Sequence, residues 1–127
     1  MKAKKLTPVL KVEAIEPVLD FWTALGFSKT VEVPHEDKLG FVILVKDDIE
    51  IMYQTNASVA ADIAPLGDAP NGGTFLFIEV DDVDSIDTLL KGKNYVVPRR
   101  TTFYGADEVI VREPGGNVVA FAQMKAQ

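Results

Sequence analysis

Cysteine is absent from this sequence, which excludes a disulfide framework, a thiolate nucleophile and any zinc site built on sulfur. Histidine is nearly absent: His35 is the only one, and it follows Pro34 in a polar stretch read as a solvated turn. There is no excess of positive charge, since 13 lysines and arginines face 19 acidic residues for a net charge of −6. That balance argues against nucleic acid or an anionic membrane as partner, whereas a cationic small ligand would suit the field. No apolar run approaches the length of a membrane span. The basic start Met1-Lys-Ala-Lys-Lys5 runs into Leu6-Thr-Pro-Val-Leu10, which is too short and interrupted for a signal sequence, so the expected location is the cytoplasm.

What the chain does have is the composition of one globular domain, residues 1–127. Hydrophobic residues make up 47% and charged residues 25%, enough to bury a core and unlike a disordered chain. Leu6–Val12 reads as a strand. Glu16-Pro17 opens a helix, because proline fits a first turn where its missing N–H is not needed. Val18, Leu19, Phe21, Trp22 and Leu25 recur at helical spacing, and Gly26 supplies the stop. Phe27–Val33 is a second strand, Pro34–Asp37 a turn, Leu39–Val45 a buried strand, and Ile49–Gln54 a fourth strand after the Asp47-Asp48 turn. Trp22 is assigned to the core, on the helix that covers the sheet.

From about residue 55 to 73 the composition shifts to alanine, proline, asparagine and glycine. This is a connector with one helical turn near Ala57–Ile63. The first pattern then returns: strand Thr74–Val80, a helix carrying Val83, Ile86, Leu89 and Leu90, strand Tyr95–Val97, and a closing hairpin. In that hairpin Val109–Val111 and Val118–Phe121 flank Glu113-Pro-Gly-Gly-Asn117, residues suited to a tight turn. A shift of 68 lays Val12–Ile15 on Val80–Val83, and a shift of 70 lays Ile49–Met52 on Val119–Ala122. Self-similarity at a fixed offset means two copies of one unit. The fold class is therefore α+β, with two tandem βαβββ modules: module one about 5–54, the connector about 55–73, and module two about 74–125.

Three segments in this order resemble the glyoxalase, bleomycin-resistance and extradiol-dioxygenase superfamily, also called vicinal oxygen chelate proteins. They are Asp20-Phe-Trp-Thr-Ala-Leu-Gly-Phe27, Glu79-Val-Asp-Asp-Val-Asp84 and Arg112-Glu-Pro-Gly-Gly-Asn117, and the resemblance runs from Leu6 to Gln123. It implies cupped mixed sheets with helices outside, a ligand or metal held in the cup, and a homodimer with sites formed between modules. In the metal-dependent members, four ligands come from inward strand positions. Those positions here are Thr7, Glu50, Phe75 and Ala120. Divalent metals need several converging imidazole, carboxylate or thiolate donors, and only Glu50 is one. The resemblance therefore implies a metal-free member with no cofactor. It is nearest to drug-binding proteins of the bleomycin-resistance type, which share Phe21-Trp22-Thr23 and the closing turn. The segment Thr102–Glu108 departs from that type in having no tryptophan.

If those four positions face the cup, period-2 alternation adds Val9, Lys11, Met52, Gln54, Phe77, Glu79, Val118 and Ala122. Phe103 and Tyr104 supply a further stacking surface. Lys11 is the cation expected to pair with Glu50 and Glu79, and Arg99 and Arg100 are expected at a solvated rim. Aromatic walls with a few polar groups suit a small-molecule pocket. The function expected is non-catalytic binding of an antibiotic or a hydrophobic metabolite, aromatic or cationic. The alternative is a metal-independent lyase or isomerase with Glu50 as base, the only catalytic candidate, and with Lys11 or backbone as oxyanion donor.

Overall fold

The computed structural model describes residues 1–125. The chain divides into two compact units, residues 1–72 and 73–127. Each unit contains a four-stranded mixed sheet and a covering helix. In the first unit β1 (Val9–Val12), α1 (Glu16–Ala24), β2 (Ser28–His35), β3 (Lys38–Lys46) and β4 (Ile49–Thr55) follow in sequence. The sheet order is β1-β4-β3-β2, with β1 parallel to β4 and the remaining pairs antiparallel. A parallel pair needs a long crossover, and the α1-β2-β3 passage provides it. The second unit repeats this with β5 (Phe75–Glu79), α3 (Val83–Leu89), β6 (Tyr95–Thr101), β7 (Ala106–Arg112) and β8 (Val118–Met124), in the order β5-β8-β7-β6.

The helix faces carry the core. In the first unit Leu10, Val12, Val42, Leu44, Ile51 and Tyr53 are buried, as are Val18, Phe21 and Trp22 of α1. Trp22 meets Phe21 and Phe27 edge-on at 5.1 and 4.8 Å, and its indole N–H donates to the Tyr53 hydroxyl at 2.8 Å. In the second unit α3 packs on β7 and β8, over Val109, Val111, Val119 and Phe121, all buried. Asp82 caps α3 by accepting from the Ser85 N–H at 3.3 Å. The Gln123 side chain accepts the Val83 N–H at 3.0 Å, so the sheet itself satisfies another free donor of this helix end.

Several boundaries differ from those read in the sequence. β1 begins at Val9 rather than Leu6, because Pro8 has no N–H to give; its carbonyl still accepts from Met52 N at 3.0 Å. β2 continues through Pro34 to His35, and the turn is made by Glu36-Asp37, with Glu36 at φ 58°. Gly40 is needed beneath it, since a Cβ there would lie 2.5 Å from the His35 Cβ. β6 runs to Thr101, four residues past Val97; Pro98 is tolerated because β6 is an edge strand with an irregular register. The connector is more structured than a single turn. α2 (Asn56–Asp62) is capped by Thr55, and a 3-10 turn follows at Ala64–Leu66. Among the described residues no helix is long and apolar enough to cross a membrane.

The pairing also corrects the repeat. Val9 pairs with Met52 and Leu10 with Tyr53, while Phe77 pairs with Ala120 and Ile78 with Phe121. One shift of 68 therefore relates β1 to β5 and β4 to β8 alike. The equivalent of Ala120 is Met52, and that of Glu50 is Val118. The shift of 70 was two residues out, a slip that keeps every side chain on its face and so leaves the alternation unchanged.

Candidate functional site

Each sheet has one face under its helix and one face turned away from it. Buried Leu10, Val12, Ile51 and Tyr53 mark the helix side of the first sheet. Alternation then puts Val9, Lys11, Glu50, Met52 and Gln54 on the opposite face, with Val9, Met52 and Ile43 in one row across β1, β4 and β3, and Lys11, Gln54 and Phe41 in another. Thr7 precedes β1, and its hydroxyl donates to Glu50 Oε1 at 3.1 Å. Lys5 Nζ reaches the same oxygen at 3.1 Å. The Lys5 ammonium, helped by Thr7 and opposed by partial desolvation, holds the Glu50 carboxyl below the usual carboxylate range.

Lys11 does not neutralise Glu50. Its ammonium donates to the carbonyls of Leu66 at 3.1 Å, Gly67 at 2.9 Å, and Ala69. An ammonium has three protons, and the connector takes all of them. Next to it Gln54 Nε2 donates to Ser58 Oγ at 3.1 Å and to Asp62 at 3.4 Å. Lys11 and Gln54 thus fasten α2 and the 3-10 turn over one end of this face, leaving Thr7, Val9, Glu50 and Met52 beyond the strap.

In the second unit the helix-free face is laid out in rows by the strand register. Phe75, Val118 and Arg112 form one row. Phe77, Ala120, Ile110 and Val97 form the next. Glu79, Ala122, Glu108 and Arg100 form the third. Phe75 is 63% exposed and Phe77 50%, so the two rings stand side by side on β5 without a covering helix. Phe103 is fully exposed in the β6–β7 loop and meets Tyr104 edge-on at 5.1 Å. Tyr104 donates its hydroxyl to Glu108 Oε1 at 3.3 Å. Arg99 and Arg100 are not simply solvated. Arg99 pairs with Asp84 and Asp107, and Arg100 with Glu108.

Glu108, Ile110 and Arg112 are not among the site residues expected from the sequence, where Val109–Val111 reads only as a hairpin strand and Arg112 only as the start of the closing turn. Counting outward from the Glu113–Asn117 turn would have found them, because 112 faces 118, 110 faces 120 and 108 faces 122. A separate hollow of about 430 Å³ opens in the first unit between Glu13, Glu16, His35, Asp37 and Thr55. It shares no residue with the predicted set.

A family model for the glyoxalase/bleomycin resistance protein/dioxygenase superfamily matches residues 7–121. The chain belongs to that superfamily. Among solved superfamily structures, a glyoxalase/bleomycin resistance protein/dioxygenase from Nocardioides superposes with a TM-score of 0.75 at 17% identity, covering 100% of this chain and 88% of that one. A bleomycin-binding protein complexed with bleomycin gives 0.67 at 17%, covering 97% and 100%. Lactoylglutathione lyase from Agrobacterium tumefaciens gives 0.73 at 16%, covering 97% and 95%. At such identities the likeness is one of fold. None of the curated proteins matches the sequence. The metal implied for enzymes of the superfamily does not fit the residues here. Thr7 and Glu50 offer a hydroxyl and one carboxylate, Phe75 and Ala120 offer no donor, and Val118, the register equivalent of Glu50, offers none either. Among the described residues no group of three or more histidines, cysteines, aspartates or glutamates is placed to hold a metal ion.

Proposed function

We propose that this superfamily member is a non-catalytic binding protein for a small apolar molecule with an aromatic part, and that it works as a cytoplasmic homodimer. The observation that carries the reading is the pair Phe75 and Phe77, half-exposed or more on a helix-free sheet face, with Phe77 beside Ala120; the resemblance matches Phe75 and Ala120 to metal-ligand positions, and neither side chain is a donor. Exposed aromatic rings with nearby polar groups are what a ligand surface requires. The bleomycin complex of one structural neighbour shows that the fold can present a small-molecule site. Dimerisation rests on the habit of similar single-chain members. The net charge of −6 would favour a cationic ligand at long range; contacts at the site itself are a separate matter.

The alternative, a metal-independent lyase or isomerase using Glu50 as base, has less support. A general base at neutral pH gains from a raised pKa, and Lys5 and Thr7 hold Glu50 in the opposite direction. Lys11, the expected oxyanion donor, is engaged with three backbone carbonyls.

A thermal-shift screen of antibiotics and aromatic metabolites should find compounds that stabilise the protein, since a ligand at 100 times its Kd adds about 2.7 kcal/mol. Phe75→Ala should weaken those compounds roughly 10- to 100-fold, the loss of one buried aromatic contact. The variant should keep the stability of the free protein, because Phe75 is 63% exposed. A broad screen with no stabilising compound, or hits indifferent to Phe75→Ala, would count against the proposal.

A further inference from the structure

The chain has four asparagines, and in three of them the side-chain amide or the next backbone N–H is engaged. Asn117 is 1% exposed and locked between Glu113 and Thr74, and the Val118 N–H after it donates to the Thr74 carbonyl at 2.8 Å. Asn56 opens α2 with its amide on Glu13 Oε2 at 2.7 Å. Asn94 precedes the bulky Tyr95, whose N–H donates to the Lys93 carbonyl at 3.1 Å. Asn71 is different. It precedes Gly72 at the end of the connector, exposed and outside every helix and strand. Among the described residues neither the Asn71 amide nor the Gly72 N–H has a hydrogen-bond partner.

We infer that Asn71-Gly72 is a site of spontaneous covalent modification, at which the asparagine loses its amide and becomes an acid. The Gly72 nitrogen attacks Asn71 Cγ and closes a succinimide ring. Its proton passes by way of water to the departing side-chain nitrogen, which leaves as ammonia. Water then opens the ring. Breaking the bond from the Gly72 nitrogen to Cγ gives aspartate; breaking the bond to the Asn71 main-chain carbonyl carbon gives isoaspartate. Water is the only co-reactant. The free Gly72 N–H means that no hydrogen bond is given up when its nitrogen turns toward Cγ. Glycine also has no Cβ to obstruct that approach, and it takes here a φ of 74°. The same attack at Asn94 or Asn117 would have to break the bond of the Tyr95 or Val118 N–H, past a bulky side chain. Each event takes the net charge from −6 to −7. Isoaspartate also adds a carbon to the main chain just ahead of Gly73, whose N–H donates to the Gly116 carbonyl at 3.3 Å. The modified chain thus differs at the entry to β5, in both charge and length.

The test is to keep the purified, folded protein for several weeks at mildly alkaline pH and follow it by native isoelectric focusing. A band more acidic by a single charge should accumulate. Peptide mass spectrometry should place the change at Asn71, with isoaspartate and aspartate forms separated by chromatography. Asn71→Ser should abolish the acidic band. Gly72→Ala should slow its growth about tenfold or more, because the added Cβ hinders the attacking nitrogen. Alanine is strained at that φ, so Asn71→Ser decides the matter if Gly72→Ala does not fold. The proposal is overturned if the wild type gives no acidic band, if the band survives Asn71→Ser, or if a folded Gly72→Ala changes at the wild-type rate. A change mapped to Asn56, Asn94 or Asn117 instead of Asn71 overturns it equally.

Discussion

Trp22→Ala should cost about 3–5 kcal/mol of unfolding free energy, the range for removing a fully buried large aromatic side chain. Trp22 has no exposed surface, meets two other aromatic rings, and donates to a hydroxyl that is itself fully buried. The cavity lies between α1 and its sheet, where the rigid strands cannot collapse to fill it. Tyr53→Phe is the graded comparison. It keeps the ring and removes the acceptor of the indole N–H, for about 1–3 kcal/mol. Urea unfolding followed by far-ultraviolet circular dichroism reads both, and it should be fitted with the two units allowed to unfold separately. A Trp22→Ala loss below about 1 kcal/mol would mean that the residue is not in the core.

Glu113→Ala should cost about 3 kcal/mol, although the residue looks like a surface turn in the sequence. Glu113 is 2% exposed and Asn117 1%. The Glu113 carboxylate accepts the Asn117 N–H at 2.9 Å and its side-chain amide at 3.4 Å, and Asn117 Oδ1 accepts the Thr74 N–H at 3.1 Å. The turn thus fastens the entry of β5 to the β7–β8 hairpin. Glu113→Gln keeps an acceptor and should lose less than half as much. The same urea experiment separates the two, and a Glu113→Ala protein as stable as the wild type would contradict the clamp.

The second case shows what a sequence conveys and what it conceals. Glu113-Pro-Gly-Gly-Asn117 is legible as a turn because proline and glycine act locally; Gly116 takes φ 93°. That its acid is a buried clamp depends on Thr74, 43 residues from Asn117, and no local pattern reveals it. The two-module fold was legible for a similar reason. Alternation in β1, β4, β5 and β8 names the faces, so Val9, Met52, Phe75, Phe77 and Ala120 all lie where period 2 puts them. Register was not legible to the same accuracy, because moving Glu50 from Ala120 to Val118 changes no face. The partners of long cations were illegible. Lys11 turned to connector carbonyls and Arg100 to Glu108, choices made by groups 55–58 residues away in one case and 8 in the other.

We propose that the superfamily scaffold is kept here while the positions matched to its metal ligands serve instead as a ligand-binding surface. Metal analysis of protein purified without chelator, after incubation with nickel, zinc, manganese and ferrous iron and removal of the excess, addresses it most directly. Thr7, Glu50, Phe75 and Ala120 provide one carboxylate and one hydroxyl, short of the three or four donors a tight site needs. The account predicts metal far below one equivalent per chain, with unchanged thermal stability. One tightly held equivalent, lost in Glu50→Gln, would contradict it.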